Sequence, residues 1–266
     1  MPILKRYEAV TFRRPMQRGL TRPFLVSALP EEGGDAIDLV VKPRAGYGDR
    51  PQAIFKEIYS TVLARELGID TPEPVLVNLP EGLEFGAEDH PKSKEMIEAS
   101  YGLNYATVLL GNGWKTWTQG ANPRGLEQHV LESAFVFDAL VQNVDRKRDN
   151  PNLLWKGDRL AVLDFDKAFE YLGKTIAEVV PMLTLKEHVL QPFIALAKEG
   201  ALGEIIWGNW EEWNISNHLD ELISGDAMNQ PINRLDSEDL QSMLNWFNDF
   251  SLDIEKFLQY LTEYSK

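Results

Sequence analysis

Apolar residues recur along the chain with two periods, and the switches between those periods outline the elements. Residues 36–42, Ala-Ile-Asp-Leu-Val-Val-Lys, are β-rich and follow the turn-forming Glu32-Gly33-Gly34-Asp35, which predicts a strand ending near Lys42. The next apolar positions, Ile54, Phe55, Ile58, Val62 and Leu63, keep helical spacing up to Gly68, so an amphipathic helix carrying Glu57 is expected. Val75-Leu76-Val77-Asn78-Leu79, beyond Pro72 and Pro74, reads as a strand. Residues 80–94 are acidic and punctuated by glycine and proline, which predicts a mobile loop between two lobes. A strand over 105–110 follows, and then a Gly- and Trp-rich stretch through Gly125 with no clear period.

Helical spacing returns in Val130, Leu131, Ala134, Phe137 and Val141, predicting a buried helix over 126–142. It delivers the polar loop Asn143-Val144-Asp145-Arg146-Lys147-Arg148-Asp149-Asn150-Pro151. Asn152-Leu153-Leu154-Trp155, the turn Lys156-Gly157-Asp158 and Arg159-Leu160-Ala161-Val162-Leu163 then form a hairpin running into Asp164. Past Tyr171 the pattern is helical to the end, including 240–250 and 254–261, and no internal repeat is present. Trp207, Trp210 and Trp213, at helical spacing, and Met182, Leu183 and Leu185 are expected to pack a core.

Charge narrows the partners. With 41 acidic against 27 basic side chains, a formal charge of -14 repels phosphate backbones and anionic lipid heads, so neither nucleic acid nor membrane is expected as a partner. A nucleotide would need local Lys, Arg and Mg²⁺ to reverse that field. There is no cysteine, and His90, His129, His188 and His218 lack metal-ligand spacing, which argues against zinc chemistry. No leader-like or membrane-length apolar run is visible, so a cytoplasmic location is expected.

Phosphoryl transfer asks a protein for metal ligands, phosphate-neutralising cations and a carboxylate that orients the attacking hydroxyl. Asp145 and Asn150 share one loop with the Asp-x-x-x-x-Asn spacing that supplies a base and a metal ligand in the kinase template. Asp164-Phe165-Asp166 stands at the end of the hairpin, where that template has its metal-binding Asp-Phe-Gly. Lys42 and the helix-borne Glu57 suit the pair that holds nucleotide phosphates; Glu66 is the rival, near the end of the helix.

The blocks Phe137-Asp138-Ala139-Leu140-Val141-Gln142-Asn143-Val144-Asp145-Arg146, Asn150-Pro151-Asn152-Leu153-Leu154 and Leu163-Asp164-Phe165-Asp166 resemble a HipA-like kinase. The likeness extends upstream to Val40-Val41-Lys42-Pro43 and Gly19-Leu20-Thr21-Arg22-Pro23-Phe24-Leu25-Val26, roughly residues 18–170. More distantly, the pattern is similar to phosphoinositide kinases, which also place Arg after the catalytic Asp. The resemblance implies a mixed α/β (α+β) two-lobed protein-kinase-like fold, a β-rich N-lobe with one helix over 1–110 and a mainly helical C-lobe over 111–266. It implies ATP in the cleft, Mg²⁺ as metal, and transfer to a hydroxyl, foremost a protein Ser or Thr. Asp145 and Lys147 are then catalytic, and Asn150, Asp164 and Asp166 are metal ligands. Lys42, Glu57, Gly19, Thr21 and Arg22 take the nucleotide. A small-molecule acceptor, or a nucleotide-binding regulator acting through a partner protein, are the alternatives.

Three departures from the protein-kinase pattern mark the chain. The glycine-rich loop is reduced to Gly19 within Arg18-Gly19-Leu20-Thr21-Arg22, leaving phosphate contacts to Thr21 and Arg22. Asp166 replaces the Asp-Phe-Gly glycine and offers an extra carboxylate. Asn143-Val144 replaces His-Arg before Asp145, so the usual histidine support of that loop is expected to be absent. Arg146 and Arg148 read as positive charge offsetting the acidic surface, Arg148 equally well as a solvated residue, and Lys42 as a strand-end residue contributing little to the core.

Overall fold

Five strands near the N-terminus close into a barrel in the order β1-β2-β3-β5-β4. They are β1 (Arg6–Pro15), β2 (Phe24–Pro30), β3 (Ile37–Lys42), β4 (Pro74–Leu79) and β5 (Gly102–Val108). Closure comes from parallel pairing of β1 with β4; every other neighbour is antiparallel. Alternation sends Leu39 and Val41 of β3, and Val75, Val77 and Leu79 of β4, into one buried cluster with Phe24, Val26 and Ala28. In β1 the inward set is Tyr7, Ala9 and Phe12, because register shifts at Ala9/Thr11 and Phe12/Arg14 break the two-residue period. Since Val41 faces the barrel interior, Lys42 takes the opposite face of β3. The structure is a computed structural model and describes residues 4–17, 19–48, 50–118, 120–121, 125–194, 237–252 and 254–264.

Contacts divide the chain into two compact units. One takes in residues up to Ile58 and Pro72–Gly111; among the described residues the other takes in Tyr59–Thr71, residues 112–194 and the C-terminal helices. Helix α1 (Pro51–Glu66) straddles the division, with Gly68 in the left-handed region just past its end.

The expected mobile loop over 80–94 is instead ordered and belongs wholly to the first unit. A 3₁₀ turn (Leu83–Ala87) and a second helix, α2 (Pro91–Glu98), occupy it, and Leu83, Ala87 and Ile97 are buried in the barrel cluster. The apolar residues inside that acidic stretch supply burial that outweighs its turn-forming composition. The N-terminal region thus carries more helix than the one expected.

In the second unit, α3 (Gln128–Leu140) is buried from Leu131 to Leu140. A small sheet of β6 (Lys115–Thr116), β7 (Leu153–Lys156) and β8 (Arg159–Val162) contains the expected hairpin, closed by Gly157 at φ 62°. Arg159 clamps the Asp70 carboxylate with two hydrogen bonds of 2.8 Å, and the Val162 N–H donates to the Asp70 carbonyl at 2.9 Å. Over 171–194 the expected helical structure is limited to the single turn α4 (Ile176–Val179) and the 3₁₀ turns Val180–Met182, Leu185–Glu187 and Gln191–Phe193. Pro181 and Pro192 lack the N–H that a longer helix would need. Leu183 and Leu185 are buried as expected, whereas Met182 is 39% exposed and does not pack.

The helices Ser237–Leu252 and Ile254–Tyr264 bury Met243, Trp246, Phe247, Phe250, Phe257 and Leu261. Trp246 donates its indole N–H to the Leu140 carbonyl at 2.8 Å, fastening these helices to the end of α3. Trp207, Trp210 and Trp213 lie outside the described residues. Among the described residues, no helix is long and apolar enough to cross a membrane.

Candidate active site

In the first unit the side chains of Lys42 and Glu57 meet, Nζ to Oε1, at 2.8 Å. The Lys42 side chain is 16% exposed and that of Glu57 3%, so the pair lies in low dielectric and the lysine is far from a surface residue. Glu66, the rival carboxylate, is exposed. The 3₁₀ turn after Lys42 (Arg44–Tyr47) is fixed from two sides. Buried Asn104 accepts the Arg44 N–H at 2.8 Å and donates to the Ser100 and Gly102 carbonyls at 2.7 and 2.8 Å. On the other side Gly46 lies against the β1–β2 turn, where a Cβ would fall 2.1 Å from the Thr21 carbonyl oxygen. Only glycine permits that approach.

Gly19, Thr21 and Arg22 share that turn, closed by the Arg22 N–H donating to the Gly19 carbonyl at 3.1 Å. Gly19 has φ 120° and a Cβ there would meet the Pro23 ring at 2.7 Å, so this position of the turn requires glycine. Thr21 is buried and Arg22 exposed.

In the second unit the loop after α3 and the end of β8 bring Asp145, Asn150, Asp164 and Asp166 together. Asn150 donates its side-chain amide to Asp145 Oδ2 at 2.7 Å, leaving its carbonyl end as an acceptor. Asp145 sits above the ordinary carboxylate range, first because it is partly buried and then because of the negative charges of Asp164 and Asp166. Lys167 and the Asn150 hydrogen bond pull it back. Asp164 adopts φ 61°, a conformation that Asp and Asn tolerate better than most residues, and Asn152 reaches its Oδ2 at 3.4 Å. Phe165, fully buried, packs edge-on against Phe137 of α3 at 5.5 Å and anchors the motif.

The donor set of Asn150, Asp164 and Asp166 consists of hard oxygens, and the negative charge that Asp164 and Asp166 bring to Asp145 is what a divalent cation would relieve. Among the described residues no three His, Cys, Asp or Glu side chains form a ready-made metal cage. Mg²⁺ needs none, because it binds through one or two carboxylates and completes its shell with water and phosphate. The residues fit that ion.

The Lys147 ammonium, half exposed, pairs with Glu187 at 2.9 Å; that hydrogen bond foremost, with the charges of Glu187, Asp145 and Asp149, raises its pKa. Lys167, which sequence reasoning passed over, is the lysine whose charge draws Asp145 down. Its place directly after Asp166 was the available signal.

As expected, no histidine precedes Asp145 in the loop, but His188 supports the loop indirectly, through Asp138. This buried side chain lies 3.0 Å from Asp138 Oδ2 through Nε2, while the Leu190 N–H donates to its Nδ1 at 3.1 Å. Since Nδ1 accepts, Nε2 must carry the proton and donate to Asp138, which describes a neutral imidazole. Burial accordingly holds His188 below its ordinary value of 6.5, with Asp138 opposing the shift. The support comes from fifty residues downstream of Asp138 rather than from the loop itself.

A stability test follows from that tautomer. The unfolded chain protonates His188 near pH 6.5 and the folded chain only below it, so this contribution is complete above pH 6.5 and declines as the pH falls. The slope is at most about 1.4 kcal/mol per pH unit. His188→Gln, which can still donate to Asp138 and accept from Leu190, should flatten this dependence in denaturant melts at pH 7.5, 6.5 and 5.5. Parallel curves for parent and variant would show that His188 is not buried as the neutral form.

A family model described as HipA-like kinase matches residues 9–196, more than two thirds of the 266. No curated relative matches the sequence. Among solved structures, the chain is similar to the proinflammatory kinase CtkA of Helicobacter pylori at 10% identity, covering 96% of this chain and 95% of that one with a TM-score of 0.47. It is also similar to a MAP kinase of Leishmania major at 12% identity, covering 95% and 83% with a TM-score of 0.29. The family match spans β3 with Lys42, α1 with Glu57, the Asp145–Asn150 loop and Asp164, and on that match the chain belongs to the HipA-like kinase family.

Proposed function

We propose that this protein is an ATP- and Mg²⁺-dependent phosphotransferase of two-lobed kinase type that moves the γ-phosphoryl group to a hydroxyl, foremost a Ser or Thr of a protein. One observation carries the reading: Asp145, fixed by Asn150 at 2.7 Å, shares its neighbourhood with Asp164 and Asp166. A fold alone needs no such concentration of negative charge, which raises the Asp145 pKa and costs stability.

In this reading Asp145 accepts the hydroxyl proton of the acceptor as its oxygen bonds to the γ-phosphorus. The bond from that phosphorus to the bridging oxygen breaks, and ADP leaves with the electron pair. Asn150 keeps the Asp145 carboxylate in one orientation, while Asn150, Asp164 and Asp166 would hold Mg²⁺, which would supply neutralisation of phosphate charge. Lys42, steadied by Glu57, takes the nucleotide phosphates, and Gly19, Thr21 and Arg22 bound the same nucleotide. Incubation with γ-labelled ATP and Mg²⁺, with and without cell extract, followed by mass spectrometry, tests the reading. Label on a Ser or Thr side chain supports it; label on a metabolite moves the acceptor to a small molecule; no transfer under any condition defeats it.

Lys42→Met gives a sharper test of the phosphate role, with a stability cost that the sequence did not suggest. Glu57 is only 3% exposed, so removing its lysine should cost up to roughly 3–5 kcal/mol, the range for breaking a buried ion pair. The double variant Lys42→Met/Glu57→Gln, which removes both charges, should recover most of the melting temperature. Its transfer rate should stay about 10- to 100-fold down, as expected for loss of charge-assisted bonds to phosphate. Full activity in the double variant would assign the phosphates to other cations.

A further inference from the structure

The residue after the proposed base is an arginine with no exposed side-chain surface. Sequence reading places Arg146 among charges that offset an acidic exterior, but the structure puts it in the core of the second unit, while Arg148 is exposed. Its charge is met by Asp138 of α3, which is equally buried: Nε donates to Oδ2, and Nη2 donates to Oδ1 at 3.1 Å. Nη1 donates to two main-chain carbonyls, Asn152 at 2.8 Å and Leu163 at 2.9 Å, with a longer contact to Pro151 at 3.4 Å. The guanidinium lies 5.2 Å from the Phe165 ring centre.

Those contacts reach all three stretches that carry the candidate site. Arg146 is bonded in sequence to Asp145; Asn152 lies two residues after Asn150; Leu163 immediately precedes Asp164. Asp138 closes a second path, because it accepts the Asn143 amide at 2.8 Å and the Asn143 side-chain oxygen accepts the Asp145 N–H at 3.2 Å. Burial pushes the Asp138 carboxyl up, but the charge of Arg146 and the hydrogen bonds of His188 and Arg146 outweigh that and hold it ionised. A buried charge pair is seldom more stabilising than an apolar pair of the same volume, so stability alone does not explain it. Geometry does, since only a guanidinium offers five N–H donors in a fixed fork that can join a carboxylate to two carbonyls at once.

We infer that Arg146, oriented by Asp138 and His188, is a positioning residue that sets Asp145, Asn150 and Asp164 in register with one another. It touches neither nucleotide nor acceptor and acts through the main chain. The inference rests on the kinase reading above.

Two variants test it. Arg146→Lys keeps the positive charge against Asp138 but cannot span both carbonyls; Asp138→Asn/Arg146→Gln removes both charges together and leaves no lone buried ion. For each, the measurements are the melting temperature, kcat and KM for ATP at varied Mg²⁺, and calorimetric affinity for a non-hydrolysable ATP analogue with Mg²⁺ or with chelator. Both variants are expected to fold, with kcat lowered about 100-fold, the effect of misplacing reacting groups by about 1 Å. KM should stay within about threefold, since no nucleotide contact is lost. The Mg²⁺ needed for half-maximal rate should rise, and the gain in analogue affinity should shrink at sub-saturating Mg²⁺, the KM holding at saturation.

Unchanged kcat in either folded variant overturns the inference. So does a loss of kcat that only tracks the loss of folded protein while the Mg²⁺ response stays put, which is what a merely structural arginine would give. If the parent protein itself shows neither turnover nor Mg²⁺-dependent analogue binding, the kinase reading has failed, and Arg146 has nothing to position.

Discussion

Asp145→Asn is expected to lower phosphoryl transfer by roughly 10²–10⁴-fold, the usual contribution of a general base, while ATP affinity barely changes. The side chain keeps its shape, and its oxygen can still accept the Asn150 amide that now reaches Asp145 Oδ2 at 2.7 Å. Only the capacity to take a proton is lost. Because Asp145 is partly buried and repelled by Asp164 and Asp166, its ionised form is a net cost to the fold, so the variant should melt at the same temperature or higher. Single-turnover rates with saturating ATP, set beside calorimetric nucleotide affinity, separate the two effects. Transfer within tenfold of the parent would take the base role away from Asp145.

What the sequence made legible has a common physical basis: each legible element keeps its period and its punctuation within one local stretch. The hairpin β7–β8 alternates apolar residues around Gly157, and α3 repeats apolar residues at helical spacing up to Val141, so the loop between them is framed on both sides. Asp145, Asn150 and Asp164 could therefore be placed without coordinates. Lys42 and Glu57 were legible for the same reason, as the end of a strand and a position on a helix, and the structure brings them to 2.8 Å.

What was illegible depends on distant partners. Barrel closure rests on β1 lying parallel to β4, and β1 itself hides its pattern because its register shifts divide the inward residues into Tyr7 and Ala9, then Phe12. Residues 80–94 look like loop by composition, yet Leu83 and Ala87 find the barrel cluster, which only the closed sheet creates. Arg146 misleads most, because an arginine inside a basic run is solvent-exposed by default, and its burial is possible only with Asp138 eight positions earlier and the carbonyls of Asn152 and Leu163 later in the chain. His188 is invisible as a support for the same reason: its partner stands fifty residues upstream.

Asp164→Asn should behave unlike Asp145→Asn, and the contrast decides between catalysis and binding. Residue 164 sits at φ 61° with the preceding Leu163 carbonyl held by Arg146 at 2.9 Å, and asparagine is as tolerant of that conformation as aspartate, so the backbone should not move. What disappears is one negative charge assigned to the metal. Turnover should fall, and in addition the Mg²⁺-dependent affinity for ATP should drop by about 10- to 100-fold, the range seen when the support of a metal site is damaged. In chelator, parent and variant should bind nucleotide alike, because Lys42 and Glu57 are untouched. Calorimetry under both conditions reads this directly. Tight nucleotide binding by the parent that ignores chelator would remove Asn150, Asp164 and Asp166 from the metal role. If instead Asp145→Asn and Asp164→Asn lower ATP affinity equally and the parent never labels an acceptor, the chain is a nucleotide-binding regulator that keeps the kinase residues without the transfer.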